Sequence, residues 1–272
     1  ITRNNPPTLL SYMLKPEKNG SIVSTTPYHQ LAEIYDYVMR HVDYGQWADY
    51  IQSVFTRYKI TPQTILELAC GTGSMASILS TRGYHVTGID RSEAMISIAR
   101  QKVQDGQVTM TFQHGNMVDP PTNDKTFDVV LCLYDSINYL MDAKALRQMF
   151  ARVNTILSPD GIFIFDTCTE VNSRRFFHDA VDQESTDHFS YIRHSKYLAQ
   201  ERVQVNEFQM VFKHDEKYDT YFERHEQRIY PINQIKHICR ETGFRNVDTF
   251  DGFTFKNALE KSNRVHFVMR PS

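Results

Sequence analysis

Between residues 64 and 169 the sequence alternates short apolar runs with segments of helical character. The runs are nearly continuous in apolar residues, which is typical of strands buried on both faces. Consecutive strands that are joined through helices pair in parallel. The alternation therefore predicts an α/β core, in which helices cover both faces of a parallel sheet. The five predicted strands are TILELA, HVTGID, VTMTFQHGNM, the FDVVLC run and IFIFDT. The helical segment 28–58 is predicted to break near Gly45, Ser92 to cap the helix after the second strand, and residues 158–161 to form a turn before the fifth strand.

After Thr169 the pattern changes to long stretches in which polar and apolar residues alternate, such as DTYFERHEQRIY. That period of two predicts an antiparallel sheet with one face in water. A final helix and two closing strands follow, so the core sheet is predicted to be doubly wound, seven-stranded and mostly parallel. We predict a flexible arm at 1–27, a core with N-terminal helices at 28–170, an inserted sheet roofing the active site at 171–230, and a return to the core at 231–272.

The composition is that of an ordinary folded protein, with 41% hydrophobic and 23% charged residues among 272. A formal net charge of −2 provides no general attraction to nucleic acid or to a membrane, so neither is an expected partner. The four cysteines show no CxxC pair and no zinc spacing, so we expect buried packing residues, no metal site and a cytoplasmic location. We expect a monomer or a homodimer.

The segment from Gly71 to Ala76 fits the loose nucleotide-binding pattern G-x-G-x-x-G/A, and Asp90 lies about twenty residues further on. By itself this pattern also suits NAD. Glu67 changes the balance, because a carboxylate four residues before Gly71 would repel a pyrophosphate. A sulfonium nucleoside carries an ammonium and no phosphate, so it suits the acid better. An NAD-dependent oxidoreductase stays the less favoured alternative.

These residues resemble motif I of the class I S-adenosylmethionine-dependent methyltransferases, E/D-x-x-x-G-x-G, and the likeness covers about residues 28–170. The resemblance implies a Rossmann-like fold and S-adenosyl-L-methionine as the cofactor. At the position where the family often has an acid that binds the adenine amine, this chain has Asn116. The cofactor-binding residues implied are Glu67, Ala69, Gly71, Gly73, Asp90, Arg91, Met95, Asn116, Met117, Cys132 and Leu133. The aromatic Tyr35, Tyr44 and Trp47, with Tyr28 as the weakest candidate, either fold over the cofactor or pack between helices.

The segment that follows the fourth strand, CLYDSINYL, lies at the carboxyl edge of the predicted sheet, where ligands bind in such folds. Asp135 and Tyr139 are expected to face the transferred methyl group. Asp135 is either a base, or a partner for a cationic acceptor, or a cap of the following turn. His225 is the other candidate base, unless it is a surface residue. Arg224 and Arg228 lie on the opposite face of the same strand; they either bind an acidic substrate or, as the favoured use, pair with Glu across strands.

The expected activity is methyl transfer to a nitrogen or an oxygen of a small molecule. No N-P-P-Y or D-P-P-Y motif follows the fourth strand, so methylation of a nucleobase amine is disfavoured. A catalytically silent regulatory protein that binds S-adenosylmethionine is the alternative from another functional class.

Overall fold

A computed structural model describes residues 22–103, 109–215 and 217–271. The strands are β1 (Val23–Thr25), β2 (Thr64–Leu68), β3 (His85–Asp90), β4 (Met110–His114), β5 (Phe127–Cys132), β6 (Leu157–Cys168), β7 (Ala180–Ser185), β8 (Phe189–Leu198), β9 (Val203–His214), β10 (Lys217–Arg228), β11 (Phe244–Asp251) and β12 (Arg264–Pro271). The α-helices are α1 (Tyr35–Val38), α2 (Tyr44–Arg57), α3 (Ser74–Thr81), α4 (Glu93–Gln101), α5 (Ala143–Ile156), α6 (Glu170–Phe176) and α7 (Ile232–Glu241). Short 3₁₀ helices span Leu31–Ile34 and Ser136–Tyr139.

Seven strands form the core sheet in the order β11-β12-β6-β5-β2-β3-β4. Strands β2 to β6 pair in parallel, whereas β12 is antiparallel to both β6 and β11. Alternate side chains enter two separate apolar clusters, one under α5 and α7 and the other under α2, α3 and α4. For example, Leu66 lies in the first cluster and its neighbour Ile65 in the second. The predicted doubly wound, mostly parallel seven-stranded sheet is confirmed.

A second sheet has the order β1-β10-β9-β8-β7. Strands β7 to β10 are antiparallel neighbours, and β1 pairs in parallel with β10. We call β7 to β10 the lid sheet. The three residues of β1 fall within the segment 1–27, for which a flexible arm was predicted, and residues 1–21 lie outside the described residues. Within the described ranges, no helix is long and apolar enough to cross a membrane.

The strand β10 has one buried and one exposed face, as its period of two requires. Glu223, His225 and Gln227 are buried, so this face lies against the rest of the protein. Arg224 lies on the outer face and forms ion pairs with Glu207 on β9 and with Glu226. The cross-strand pairing predicted for Arg224 is therefore confirmed. Arg228 instead donates to the backbone carbonyl of Glu201.

Two local predictions were shifted. A helix break was expected near Gly45, but the break lies before it, because Asp43 caps α2 by accepting from the Gln46 N–H at 2.9 Å. A turn was expected at residues 158–161, but these residues are part of β6, which begins with Leu157 paired to Phe127. In both regions, residues of types that usually end an element lie inside one. Gly45 is in the first turn of α2, and Pro159 and Gly161 are within β6.

Residues 22–31, which we call the N-terminal strap, are joined to the lid sheet by the pairing of β1 with β10 and by one carboxylate. Glu223 is fully buried and accepts hydrogen bonds from the backbone N–H groups of Tyr28 (2.8 Å), Gln30 (2.6 Å) and Leu31 (2.9 Å). The Thr25 hydroxyl donates to it as well. Burial alone would raise the pKa of Glu223, but these bonds and one from a neighbouring imidazole hold its pKa below the ordinary value.

Glu223→Gln is expected to destabilise the fold by about 3 kcal/mol, because it removes charge-assisted hydrogen bonds to a buried acceptor. Urea unfolding measures the loss. Because the pKa of Glu223 is lowered in the folded state, the ionised carboxylate contributes its full stability above the unfolded glutamate pKa of about 4.3. The stability difference between the wild type and the variant declines as the pH falls through the folded-state pKa. Glu226→Gln, on the exposed face of β10, is the control and should change stability by less than about 0.5 kcal/mol. Equal effects of the two substitutions would contradict the anchoring role.

Candidate active site

A cavity of about 410 Å³ lies between the carboxyl edge of the core sheet, the lid sheet and the N-terminal strap. Its floor includes Glu67, Ala69, Gly71, Leu133 and Asp135. Its roof comes from three lid strands: Arg193, Gln204, Asn206, Phe208, His225 and Gln227. Aromatic side chains, among them Tyr28, Tyr35, Tyr44 and Phe208, also line it, as is common for sites that bind small molecules.

The turn after β2 is shaped by three residues with positive φ, Ala69 (+55°), Gly71 (+56°) and Gly73 (+75°). Gly71 borders the cavity, and its N–H donates to Asp90 at 2.9 Å. Gly73 does not border it. A Cβ on Gly73 would lie 2.5 Å from the Phe112 ring, so this glycine permits close packing of the turn against β4. The two glycines thus have different uses, one toward the cavity and one toward the core.

Glu67 is 4% exposed and borders the cavity from the end of β2. Its Oε2 atom is buried and has no hydrogen-bond partner among the described residues. Burial, together with the nearby charge of Asp90, raises the pKa of Glu67 to about 8. A buried acceptor without a donor is costly, so this oxygen fits a ligand cation such as an ammonium.

The residues predicted for the ribose and adenine lie along the carboxyl ends of β3 and β4. Asp90 accepts from the backbone N–H groups of Gly71 and Ser92, which positions the turn. Arg91 is exposed, and Met95 is buried in the first turn of α4. Neither Asp90 nor Arg91 nor Met95 borders the cavity enclosed by the described residues.

Asn116 and Met117 follow β4. Asn116 is exposed, and its side-chain oxygen accepts from the Val118 N–H at 3.0 Å, while Met117 packs partly buried against the core. In the described ranges these two residues also lie outside the cavity lining. Their roles toward an adenine ring stay predictions.

Of the three predicted aromatic residues, Tyr35 and Tyr44 border the cavity and Trp47 does not. Trp47 is buried and packs 5.0 Å from the Tyr134 ring, so it supports the cavity wall from behind. Cys132 is fully buried at the end of β5, whereas the next residue, Leu133, reaches the cavity.

The three candidate catalytic residues, Asp135, Tyr139 and His225, meet at this cavity. His225 is 1% exposed, so it is not a surface residue. Its Nε2 lies 3.1 Å from Glu223, and its Nδ1 lies 3.1 Å from the Tyr139 hydroxyl. That hydroxyl is 2.6 Å from the hydroxyl of Tyr28. We call the chain Glu223–His225–Tyr139–Tyr28 the relay.

Asp135 is held by two partners. Its Oδ1 accepts from Arg264 at 2.8 Å and its Oδ2 from Gln227 at 2.7 Å. Arg264 also pairs with the buried Asp166, whose carboxylate accepts from the Asp135 N–H at 2.9 Å. Burial raises the pKa of Asp135, and Arg264 opposes that shift. The side chain of Asp135 makes no capping hydrogen bond to the 3₁₀ helix that follows it, so it does not cap this turn.

Several residues of the site carried no local sequence signal. Arg264 begins the last strand, 129 residues after its partner Asp135. Tyr28 was the weakest aromatic candidate, yet it borders the cavity with φ +63°. Asp166 did offer a signal, because an acid inside the apolar run IFIFDT requires a buried partner. Within the described ranges, no group of three or more His, Cys, Asp or Glu side chains could hold a metal ion.

Comparison with known proteins decides the family. A family model described as a methyltransferase domain matches residues 65–161. A methyltransferase-family protein of Geobacillus sp. (strain WCH70) is 33% identical over 245 residues, which cover 89% of this chain and 99% of that protein. The chain belongs to the class I S-adenosylmethionine-dependent methyltransferases.

Solved structures agree with this family. An S-adenosylmethionine-dependent methyltransferase from Clostridium acetobutylicum ATCC 824 matches with a TM-score of 0.77 and 24% identity over 89% of this chain and 98% of that one. The sugar N-methyltransferase KedS8 from Streptoalloteichus sp. ATCC 53650 matches with a TM-score of 0.76 and 18% identity over 93% and 97% of the two chains. At these identities the likeness concerns the fold.

The methyltransferase uses S-adenosylmethionine, and its floor residues fit that cofactor. Gly71 leaves space beside the turn, since the atom nearest to an added Cβ is in the Tyr35 ring at 3.7 Å. Glu67 offers the unpaired oxygen that an ammonium requires. We expect the aromatic rings of Tyr35 and Tyr44 to stabilise a cationic sulfur by about 0.5–2 kcal/mol.

Binding of S-adenosylhomocysteine at pH 7 is expected to release protons from the methyltransferase. The free pocket holds Glu67 largely protonated, because its pKa is about 8, and an ammonium favours the carboxylate. Calorimetry in two buffers of different ionisation enthalpy measures the protons released. Glu67→Gln keeps the side-chain shape, and it should release nearly one proton fewer and bind more weakly. The same buffer dependence in both proteins would show that Glu67 does not receive the ammonium.

Proposed function

We propose that this methyltransferase methylates a nitrogen or an oxygen of a small molecule, and that the relay removes the acceptor's proton. The observation that carries the proposal is the buried pair of Glu223 and His225, which meets Tyr139 at the cavity. S-adenosylmethionine supplies an activated methyl group when it is bound. The chain's own task is then to orient the acceptor, exclude water and accept a proton.

The hydrogen bonds of the relay have one consistent direction. Glu223 has a lowered pKa, so it is an ionised acceptor, and the imidazole donates to it through Nε2–H. Nδ1 is then the acceptor and receives the Tyr139 O–H, whose oxygen in turn accepts from Tyr28. Burial raises the pKa of both tyrosines above the ordinary value, which keeps them neutral donors.

A proton from the acceptor's O–H or N–H group ends on Nδ1 of His225. It arrives directly or through the hydroxyls of Tyr28 and Tyr139, each of which passes on its own proton as it receives one. The imidazolium that forms is stabilised by Glu223, which is already ionised and buried beside it. A buried charge pair needs no reorganisation of solvent at that moment.

Asp135 has a different role in this proposal. Both of its oxygens already accept hydrogen bonds, from Arg264 and Gln227, so it orients a polar group of the acceptor rather than removing a proton. Two further hydrogen bonds hold Gln227 in place, because Gln227 accepts from Gln204 and Gln204 accepts from Ser173 on α6. We infer that the segment 171–230 roofs an acceptor site to which Tyr28, Asp135 and Tyr139 of the segment 28–170 also contribute, and that the turn after β2 in 28–170 holds the cofactor.

The size of the cavity supports a small acceptor, since pockets for small molecules span roughly 300–1,000 Å³ and this one holds about 410 Å³. KedS8, a sugar N-methyltransferase, has a similar fold, which is in keeping with a small-molecule acceptor. Against the catalytically silent alternative stands the position of His225, since the bonds of Glu223 to the strap require no imidazole at the cavity.

The test is methyl transfer from labelled S-adenosylmethionine to a panel of small amines, phenols, alcohols and acids. The wild type is expected to label at least one acceptor. His225→Gln should lower kcat by about 10²–10⁴-fold, the usual contribution of a general base, and leave the Kd of S-adenosylhomocysteine nearly unchanged.

Arg224→Gln, on the outer face of the same strand, is the matched control and should retain wild-type kcat. A panel in which nothing is methylated would refute the proposed activity. An unchanged kcat in His225→Gln would refute the relay as the base.

A further inference from the structure

We propose that Arg193 binds an anionic group of the methyl acceptor, so that the preferred substrates are small molecules carrying a carboxylate or a phosphate. The inference rests on the proposed function and names its substrate class. A guanidinium matches such oxygen groups through its fixed fork of N–H donors.

The position of Arg193 places this anion site close to the relay. Arg193 lies on β8 and borders the cavity. Its guanidinium lies 5.9 Å from the centre of the Phe208 ring, and that ring is 5.3 Å from the imidazole of His225. A small acceptor can therefore have its anion at Arg193 and its nucleophile at the relay, on either side of one phenylalanine.

The positive charge of Arg193 is poorly satisfied within the protein. Among the described residues it forms one ion pair, with Asp182 on the edge strand β7 at 3.2 Å. The two side chains are 30% and 42% exposed, so solvent weakens this pair. The Nε atom is buried and has no hydrogen-bond partner among the described residues. A buried N–H without an acceptor is costly, and an anion in the cavity would supply that acceptor.

The other arginine at this cavity shows what a satisfied guanidinium looks like here. Arg264 is paired with two carboxylates, those of Asp135 and Asp166, and lies 5.4 Å from the rings of Trp47 and Tyr134. Its charge is therefore compensated before any ligand binds. In the part of the chain that the structure describes, Arg193 has a single carboxylate partner, Asp182.

The acidic side chains and Arg193 lie on different sides of the cavity. The floor has the carboxylates of Glu67 and Asp135, whereas no carboxylate is among the roof residues that the structure describes at the cavity. The roof offers Arg193 and carboxamides instead. The oxygen of one of these, Asn206, already accepts from Ser195 at 2.7 Å, which leaves its NH₂ group for a ligand oxygen. An anion therefore fits the roof beside Arg193, within reach of the relay, whereas the carboxylates of the floor would repel it.

The test uses calorimetry on the protein saturated with S-adenosylhomocysteine. The probes are 4-hydroxybenzoate, its neutral counterpart 4-hydroxybenzamide, and phenyl phosphate. The wild type should bind at least one of the two anions about tenfold more tightly than the amide, the factor that corresponds to one charge-assisted hydrogen bond. Which anion binds more tightly identifies the preferred group. Arg193→Gln should lose this preference, Arg193→Lys should retain part of it, and Arg224→Gln should keep it fully.

Equal binding of the acid and the amide, failure of both anions to bind, or a preference that survives in Arg193→Gln would each overturn the anion site. Arg193→Gln must also bind S-adenosylhomocysteine like the wild type, which shows that it is folded. The two proposals fail separately. If the wild type methylates neutral acceptors and Arg193→Gln does so equally well, the anion site is refuted and the activity stands. If the anion preference is found but no acceptor is methylated, the activity is refuted.

Discussion

The structure of the site depends on one buried carboxylate, Glu223. A fully buried charge is stable only when donors surround it, and here the donors come from two parts of the chain. The backbone N–H groups of the strap residues Tyr28, Gln30 and Leu31 bind one side of it, and His225 binds it from the lid sheet. The same interaction therefore closes the cavity and orients the imidazole. In the proposed mechanism, closure of the cavity and acceptance of the proton are coupled because both depend on Glu223.

The core and the cofactor turn could be predicted from the sequence because their determinants are local. The strands are continuous apolar runs, and the spacing from Glu67 to Gly71 lies within one strand and one turn. Ser92 was expected to cap the following helix, and it does so by accepting from the Met95 N–H. The sequence also predicted that Glu223 and His225 share one face of β10, since side chains in a strand alternate with a period of two. The sequence did not indicate which face is buried.

The remaining parts of the site depend on contacts between distant segments. Tyr28 meets Glu223 across 195 residues, and Arg264 meets Asp135 across 129. No window of sequence contains either pair, so a phenol near the N-terminus and an arginine before the last strand look like ordinary surface residues. The alternative that His225 is a surface residue was wrong for a similar reason, because the sequence of this charged strand does not show which of its faces is buried. The strain at Tyr28, Tyr134 and Asp135, all with positive φ at the cavity, is likewise visible only in three dimensions.

The central claim is that Glu223 directs the imidazole so that its free nitrogen faces the cavity hydroxyls. Nitrogen-15 NMR of histidine-labelled protein bound to S-adenosylhomocysteine tests it, with His225→Gln used to assign the resonance. The account predicts that His225 rests with its proton on Nε2, toward Glu223, and with Nδ1 unprotonated. A resting proton on Nδ1 would contradict it, because the relay would then have no nitrogen able to receive the proton of the acceptor.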